Sequence, residues 1–114
     1  MPSVTIRKNP ENERYIAEIE GAIVAYTVYH IRHGGIYFFV HTEIEEGYKG
    51  KGIGAQLVRE ALDDVRQLGG TVVPLCPYVA AFIGKNPQYD DLVNHHIFDR
   101  IADRLHNEQS RHRS

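Results

Sequence analysis

This sequence of 114 residues has one cysteine and no long apolar run. Cys76 has no second thiol in the chain with which to form a disulfide, which fits a reducing compartment. No apolar run approaches the ~20 residues of a membrane-spanning helix. The residues after Met1 lack the charged and apolar regions of a signal peptide. We therefore predict a cytoplasmic protein with no membrane partner.

Positive charge is not in excess either. The chain has 13 Lys and Arg against 15 Asp and Glu, which gives a formal net charge of -2. Nucleic-acid binding generally needs a basic face, so we expect no nucleic-acid partner. The histidine pairs, His30 with His33 and His95 with His96, lack a clear third or fourth ligand. We therefore also expect no metal.

Four strands are predicted in the first part of the chain. Apolar and polar residues alternate at 4–6 and 15–20, and β-branched and aromatic residues dominate 22–31 and 36–44. The turn-forming residues at 9–13 separate the first two strands, and a Gly-Gly turn follows the third. This pattern predicts an antiparallel meander with short loops.

The second part of the chain changes to a helical period. One apolar stripe predicts a helix at 53–68, which Gly69 and Gly70 end: Ile53, Leu57, Val58, Ala61, Leu62, Val65 and Leu68. A short buried strand at 71–75 should then lie parallel to the strand at 36–44. Pro77 opens a short helix. We expect one domain over 1–114, with a core at about 3–93, a C-terminal helix at about 95–107 and a frayed tail at 108–114.

A glycine-rich loop, EGYKGKGIG, ends at Gly54 and joins the last strand of the meander to the helix. Bare backbone at a helix start offers unpaired N–H donors and the positive end of a dipole, which suits a phosphate. Neither the P-loop pattern nor the dinucleotide spacing is present. The other interpretation, a turn with helix-capping glycines, stays open at this point.

The loop and its surroundings resemble a known superfamily. Lys49-Gly50-Lys51-Gly52-Ile53-Gly54 is similar to the Q/R-x-x-G-x-G/A acyl-CoA loop of GNAT-type N-acetyltransferases, with lysine in place of Gln/Arg. With HTEI (41–44), VVPLCPYV (72–79) and NPQYDDLV (86–93), it resembles the small stand-alone GNAT-like proteins of the YjdJ type. The resemblance covers about 4–93. Typical members of the superfamily carry one or two acceptor-binding helices between their first two strands. This chain has only a turn there, at 9–13.

This resemblance implies a fold, a co-substrate and a binding site. The fold is α/β, with a mixed, mostly antiparallel sheet and a β-α-β acyl-CoA unit. Acetyl-CoA is the implied co-substrate, held by Ile44 and by residues 49–54. In the resembled fold the two strands of that unit splay apart, and the pantetheine arm lies in the gap. Pro74 cannot donate a ladder hydrogen bond, which fits such a gap, although an edge strand or a bulge would also accept it.

Three side chains are candidates for the chemistry. Glu43 and His41 share one face of their strand, and either could take a proton from an amine. Cys76 stands at a strand end before a helix-opening proline, where a thiol can become nucleophilic. Each also has a structural interpretation: a strand-end charge, a packed histidine and a small buried apolar residue. Tyr78 and Tyr89 lie where many GNAT enzymes place a tyrosine acid, but neither matches a motif.

We therefore predict an N-acetyltransferase that moves acetyl from acetyl-CoA to an amine. Direct attack of the amine is favoured over an acyl-enzyme on Cys76, because no histidine follows Cys76 closely to activate it. The alternative is a non-catalytic acyl-CoA-binding or sensing module, which the missing acceptor helices favour. The sequence names neither the acceptor nor the oligomeric state.

Overall fold

The computed structural model describes residues 3–111, and side chains as far as Arg104. Its centre is one five-stranded sheet with the strands in chain order: β1 Val4–Asn9, β2 Arg14–Ile19, β3 Ala22–Arg32, β4 Ile36–Ile44 and β5 Thr71–Pro74. The first four strands pair antiparallel, and β5 runs parallel to β4. The predicted α/β class, the meander and the β-α-β unit are confirmed.

Three helices follow the meander: α1 Ile53–Gln67, α2 Pro77–Lys85 and α3 His95–Arg111. The prediction that the last helix ends near residue 107 was wrong, because α3 continues to Arg111. Glu, Gln and Arg are good helix formers, and a polar run without Gly or Pro does not stop a helix. Of the predicted frayed tail at 108–114, residues 112–114 lie outside the described residues.

The connection between β1 and β2 is short. It contains one 3₁₀ turn, Pro10–Asn12, whose N-cap Asn9 accepts a hydrogen bond from the Asn12 N–H at 3.4 Å. Glu13 ends the turn in the left-handed region with φ of 51°. A tight turn therefore joins the first two strands, as the sequence predicted.

Helix α1 covers one face of the sheet, and we call this the covered face. The apolar stripe of the helix packs there against five side chains that are at most 6% exposed: Tyr15, Ala17, Ala25, Tyr29 and Phe39. Complete removal of such side chains from water is the main source of folding free energy in a domain of this size. The predicted stripe is confirmed from Ile53 to Val65, but its last member, Leu68, follows the helix and is 57% exposed.

A polar anchor fastens α1 at the edge of this core. The Asp64 carboxylate accepts hydrogen bonds from the Tyr15 hydroxyl at 2.6 Å and from the Lys8 ammonium at 3.0 Å. Burial raises the pKa of Asp64, but these two hydrogen bonds together hold that pKa below its ordinary value. For Tyr15, burial and the Asp64 partner both raise the pKa. The Asp64 carboxylate is therefore ionised at neutral pH, and its hydrogen bonds connect β1, β2 and α1.

A β-bulge in β4 determines which of its side chains lie on the covered face and which lie on the opposite face of the sheet. Val28 pairs with His41 and Tyr29 pairs with Phe39, so Val40 is an extra residue that has no partner in β3. A bulge shifts the alternation of side chains by one residue. Thr42 bonds to the buried Thr27 and so continues the covered face, whereas His41 is exposed on the opposite side. We call that opposite side the open face.

Candidate active site

The strands β4 and β5 separate where β5 ends. Their last pair is Phe39 with Pro74, and the Cys76 N–H donates to the Phe39 carbonyl at 2.8 Å. From there β4 continues to Ile44, while the chain turns away into α2. The gap that opens here is a groove of about 390 Å³ lined by Thr42, Glu43, Ile44, Lys49, Gly50 and Tyr78. Its position agrees with the gap that the resemblance implied.

The glycine loop forms one end of this groove. Gly50 and Gly52 have φ of 78° and 81°, a conformation that favours glycine, and Gly52 is the N-cap of α1. The first hydrogen bond of the helix runs from the Gln56 N–H to the Gly52 carbonyl at 3.0 Å. The N–H groups just after Gly52 therefore lie at the helix N-terminus, where they can receive an anion. Ile53 contributes only its backbone, because its side chain is buried.

Gly54 matters because of what lies above it. A Cβ at this position would be 2.1 Å from the Tyr78 hydroxyl and 2.6 Å from Ile44 Cδ1. The missing side chain thus lets Tyr78 of α2 lie directly over the first turn of α1. Burial raises the pKa of the Tyr78 hydroxyl, so it is protonated at neutral pH. The other tyrosine considered from sequence, Tyr89, donates instead to Asp63 at 2.8 Å and does not line the groove.

The two loop lysines are exposed. Lys49 Nζ lies 3.0 Å from Glu46 Oε2, in an ion pair between neighbouring turns of the loop. Lys51 Nζ lies 5.9 Å from the centre of the Tyr48 ring. Of the two, Lys49 lines the groove. Exposed ion pairs contribute little and exchange readily, so Lys49 can leave Glu46 for a stronger anionic partner.

His41 and Glu43 form a pair on the open face. His41 Nε2 lies 2.6 Å from Glu43 Oε2, and each side chain is 56% exposed. A neutral imidazole satisfies this hydrogen bond when Nε2 carries the hydrogen, which leaves Nδ1 as an acceptor. The carboxylate therefore orients the ring. The two residues share one face of β4, as predicted, while their catalytic role stays a prediction.

Cys76, the third candidate, lies apart from this pair. It is 3% exposed, and its thiol donates to Thr42 Oγ1 at 3.3 Å. Thr42 Oγ1 in turn lies 2.9 Å from Thr27 Oγ1, so the thiol ends a small buried polar chain on the covered face. The structure thus brings together two of the three predicted catalytic residues and places the third behind the strand. Thr42 was not predicted as part of the site, because its orientation depends on the bulge.

A second groove continues from the first along the end of β4. Its volume is about 600 Å³, and it shares Glu43, Ile44 and Lys49 with the first groove. Its other lining residues come from the start of β3 and from the loop after β4: Ile23, Val24, Ala25, Tyr26, Glu45 and Glu46. A ligand in the gap and a second molecule on the open face could therefore meet at Glu43.

Two further findings concern metals and membranes. Within residues 3–111, no three His, Cys, Asp or Glu side chains that the structure describes converge as metal ligands. None of the helices in this same part of the chain is long and apolar enough to cross a membrane. The expectation that the protein needs no metal stays a prediction.

Comparison with known proteins identifies the family. Residues 14–92 match the family model of the GCN5-related N-acetyl-transferases. This match spans more than half of the chain, and the chain belongs to this family. It is thus an N-acetyltransferase of the GNAT class, as the sequence predicted, while the YjdJ-type subgroup stays a prediction. Comparison with curated proteins gave no match.

Solved structures support the same fold. A GCN5-like N-acetyltransferase candidate from Staphylococcus aureus has a TM-score of 0.64 at 17% identity, over 82% of this chain and 90% of that one. The IAA acetyltransferase from Bacillus cereus has a TM-score of 0.55 at 18% identity, over 73% of this chain and 75% of that one. At such identities the likeness concerns the fold, and function must be argued from the site.

Proposed function

We propose that this protein transfers the acetyl group of acetyl-CoA to the amine of an acceptor that binds on the open face. The family supplies acetyl transfer in general. The observation that carries the finer proposal is the gap between β4 and β5, which has the N-terminus of α1 at one end and Glu43, the partner of His41, in its lining.

The gap suits the shape and charge of acetyl-CoA. The pyrophosphate would lie at the N-terminus of α1, where residues 50–54 offer N–H groups and the dipole favours an anion. Lys49 and Lys51 would add positive charge from the rim. The pantetheine arm would follow the unpaired edge of β4 beside Ile44. Backbone N–H groups along that edge are suited to polarise the thioester carbonyl.

The proposed chemistry is direct attack by the amine. His41 Nδ1 takes a proton from the acceptor amine, and Glu43 stabilises the resulting imidazolium. The amine nitrogen forms a bond to the thioester carbon, the carbon–sulfur bond breaks, and CoA leaves as its thiolate. Tyr78, which is protonated and lines the gap, is placed to return a proton to that sulfur. The products are an N-acetyl amide and free CoA.

Cys76 has a positioning role in this scheme. Its thiol donates to Thr42 and is shielded from solvent, so it supports the wall of the gap from the covered face. A nucleophilic thiolate would need a base beside it, and the His41–Glu43 pair projects from the other face of β4.

A second candidate function is binding without turnover. The observation in its favour is the tight turn Pro10–Asn12, which leaves the acceptor without the usual helical walls. An acyl-CoA-binding module would need the gap but not the His41–Glu43 pair. The two functions therefore differ in whether the open face matters.

One experiment separates the proposals. Calorimetry first measures acetyl-CoA binding, and release of free CoA is then followed with a panel of amines. The enzyme predicts binding and release only with an acceptor. Binding with no release for any amine supports the module, and absence of binding contradicts both.

A further inference from the structure

On the open face, the side chain of Arg14 lies near the proposed catalytic pair, His41 and Glu43. The strand registers place Arg14 beside Val28 and Val28 beside His41, all in one row across β2, β3 and β4. The next row holds Tyr26 opposite Glu43. The Tyr26 ring lies 6.3 Å from the His41 ring, centre to centre. Arg14 and the His41–Glu43 pair therefore stand on two sides of a small floor made by Tyr26 and Val28.

The contacts of Arg14 set it apart from its neighbours. Its guanidinium carbon lies 4.6 Å from the centre of the Tyr26 ring, which is within the range of a cation–π interaction. Among the side chains that the structure describes, Arg14 Nε is buried and makes no hydrogen bond. By contrast, Arg7 on the same face pairs with Glu18. A buried N–H without an acceptor is costly, and an anion that bonds the rest of the guanidinium would offset that cost.

We infer that Arg14 binds an anionic group of the acceptor, so that the acceptor is an amino carboxylate with its amine directed to His41 and its carboxylate directed to Arg14. This inference rests on the proposed function. The planar guanidinium carries N–H donors whose spacing matches the two oxygens of a carboxylate, so the two groups can form a pair of parallel hydrogen bonds. At the other end, the carboxylates of Glu43, Glu45 and Glu46 border the second groove and favour the positive amine.

The spacing of the strands sets the length of that acceptor. Neighbouring strands lie about 4.8 Å apart. The backbone positions of Arg14 and His41, which are two strands apart, are therefore separated by about 10 Å. An amine and a carboxylate on one carbon are too close to reach both side chains. A chain of several methylenes between the two groups can lie over Tyr26 and Val28 and reach both.

The test compares two amines that differ in the anionic group, 5-aminopentanoate and pentylamine. For the wild-type protein we expect a kcat/KM about 10- to 100-fold higher for 5-aminopentanoate, the range that a charged hydrogen-bonded pair supports. Arg14→Gln should remove this advantage by raising KM for 5-aminopentanoate, and Arg14→Lys should restore part of it. Pentylamine turnover and acetyl-CoA affinity should not change. Arg7→Gln, on the same face, is the matched control and should behave as wild type.

A binding readout keeps this inference separate from the proposed reaction. The Nε–H signal of Arg14 in a ¹⁵N–¹H spectrum should shift when 5-aminopentanoate is added, and should not shift with pentylamine. An unmoved signal, an unchanged preference in Arg14→Gln, or an equal loss for both amines would overturn the inference. Failure to bind acetyl-CoA would instead overturn the proposed function, whatever the Arg14 signal does.

Discussion

The two faces of the sheet differ in what their side chains do. On the covered face, Tyr29 and Phe39 are at most 1% exposed and pack against α1. On the open face, His41 and Glu43 are each 56% exposed, although they belong to the same strand as Phe39. One extra residue, Val40, separates these two environments. The strand therefore contributes to the core in its first half and to a candidate catalytic surface in its second half.

The difference between the two faces predicts which substitutions change stability and which change catalysis. Substitutions on the covered face should change the free energy of unfolding, whereas substitutions of the exposed pair His41 and Glu43 on the open face should change turnover and leave the fold intact. The glycine loop and the gap lie at the edge between the two faces. Substitutions there should change the affinity for acetyl-CoA. The predictions below use this division, from the largest expected effect to the smallest.

Loss of the catalytic pair should have the largest effect. His41→Ala should lower kcat by about 10²- to 10⁴-fold, because a positioned general base contributes that much. Glu43→Gln should lower kcat by less, because it removes only the charge that supports this base. The thermal midpoint and the affinity for acetyl-CoA should stay near those of wild type. Steady-state kinetics, calorimetry and thermal unfolding measure the three quantities.

The matched control for this pair is His30→Gln. His30 lies on β3 and pairs with Glu13 at 3.2 Å, at the far end from the gap. It should keep wild-type kcat. An equal loss in His30→Gln, or full activity in both His41→Ala and Glu43→Gln, would contradict the division between the faces.

The wall of the gap gives the next prediction. In Gly54→Ala the new Cβ would overlap the Tyr78 hydroxyl and Ile44, two side chains that line the groove, so these side chains must shift. We expect acetyl-CoA affinity to fall about tenfold or more, because the displaced side chains would narrow the gap and each tenfold step in affinity is about 1.4 kcal/mol of lost interaction. Calorimetry compares this variant with Gly84→Ala, where a Cβ meets nothing within 4 Å. If both variants bind as wild type does, acetyl-CoA does not use this gap.

The polar anchor of the covered face should affect stability alone. Asp64→Asn should lower the free energy of unfolding by about 1 kcal/mol, a value reduced for the partial exposure of the carboxylate. The pKa of Asp64 is lowered in the folded state, so its contribution is present above the unfolded-state pKa of about 3.9 and is lost as pH falls through the folded-state value.

Chemical denaturation between pH 2 and pH 7 tests this sign. Wild type should lose more stability on acidification than Asp64→Asn, and kcat at neutral pH should be the same in both. Asp103→Asn, on the exposed side of α3, serves as the control and should follow wild type. A wild-type curve parallel to that of Asp64→Asn would show that the anchor does not act through its charge.

Cys76→Ser should have the smallest effect. Serine can keep the hydrogen bond to Thr42, so kcat should remain within about threefold of wild type if the thiol only supports the wall. Intact-protein mass spectrometry after a brief exposure to acetyl-CoA should find no acetyl group on Cys76. An adduct that disappears when an amine is added would replace direct attack with an acyl-enzyme route.

Much of the fold could be predicted from the sequence. The alternation in the meander, the 3.6-residue stripe of α1 and the glycines that flank it are local signals, and each element appears where they indicate. The length of α3 was missed, because a polar sequence with good helix formers carries no stop signal.

The candidate site could be predicted only in part. The loop at 49–54 carries a motif, and the i, i+2 spacing of His41 and Glu43 sets their common face. The bulge at Val40 has no sequence signature here, so the separation of Cys76 from that pair could not be foreseen. Arg14 and Tyr26 come from distant positions and meet only through strand register.

The most direct test of the central claim is an amide NMR titration of the wild-type protein with acetyl-CoA. The account predicts the largest shifts in the loop at 49–56, along the β4 edge at 42–44 and at the start of α2 around Cys76 and Tyr78, with small shifts on β1. Shifts concentrated on β1 and β2, or no shifts at saturating acetyl-CoA, would contradict the assignment of the gap as the acetyl-CoA site.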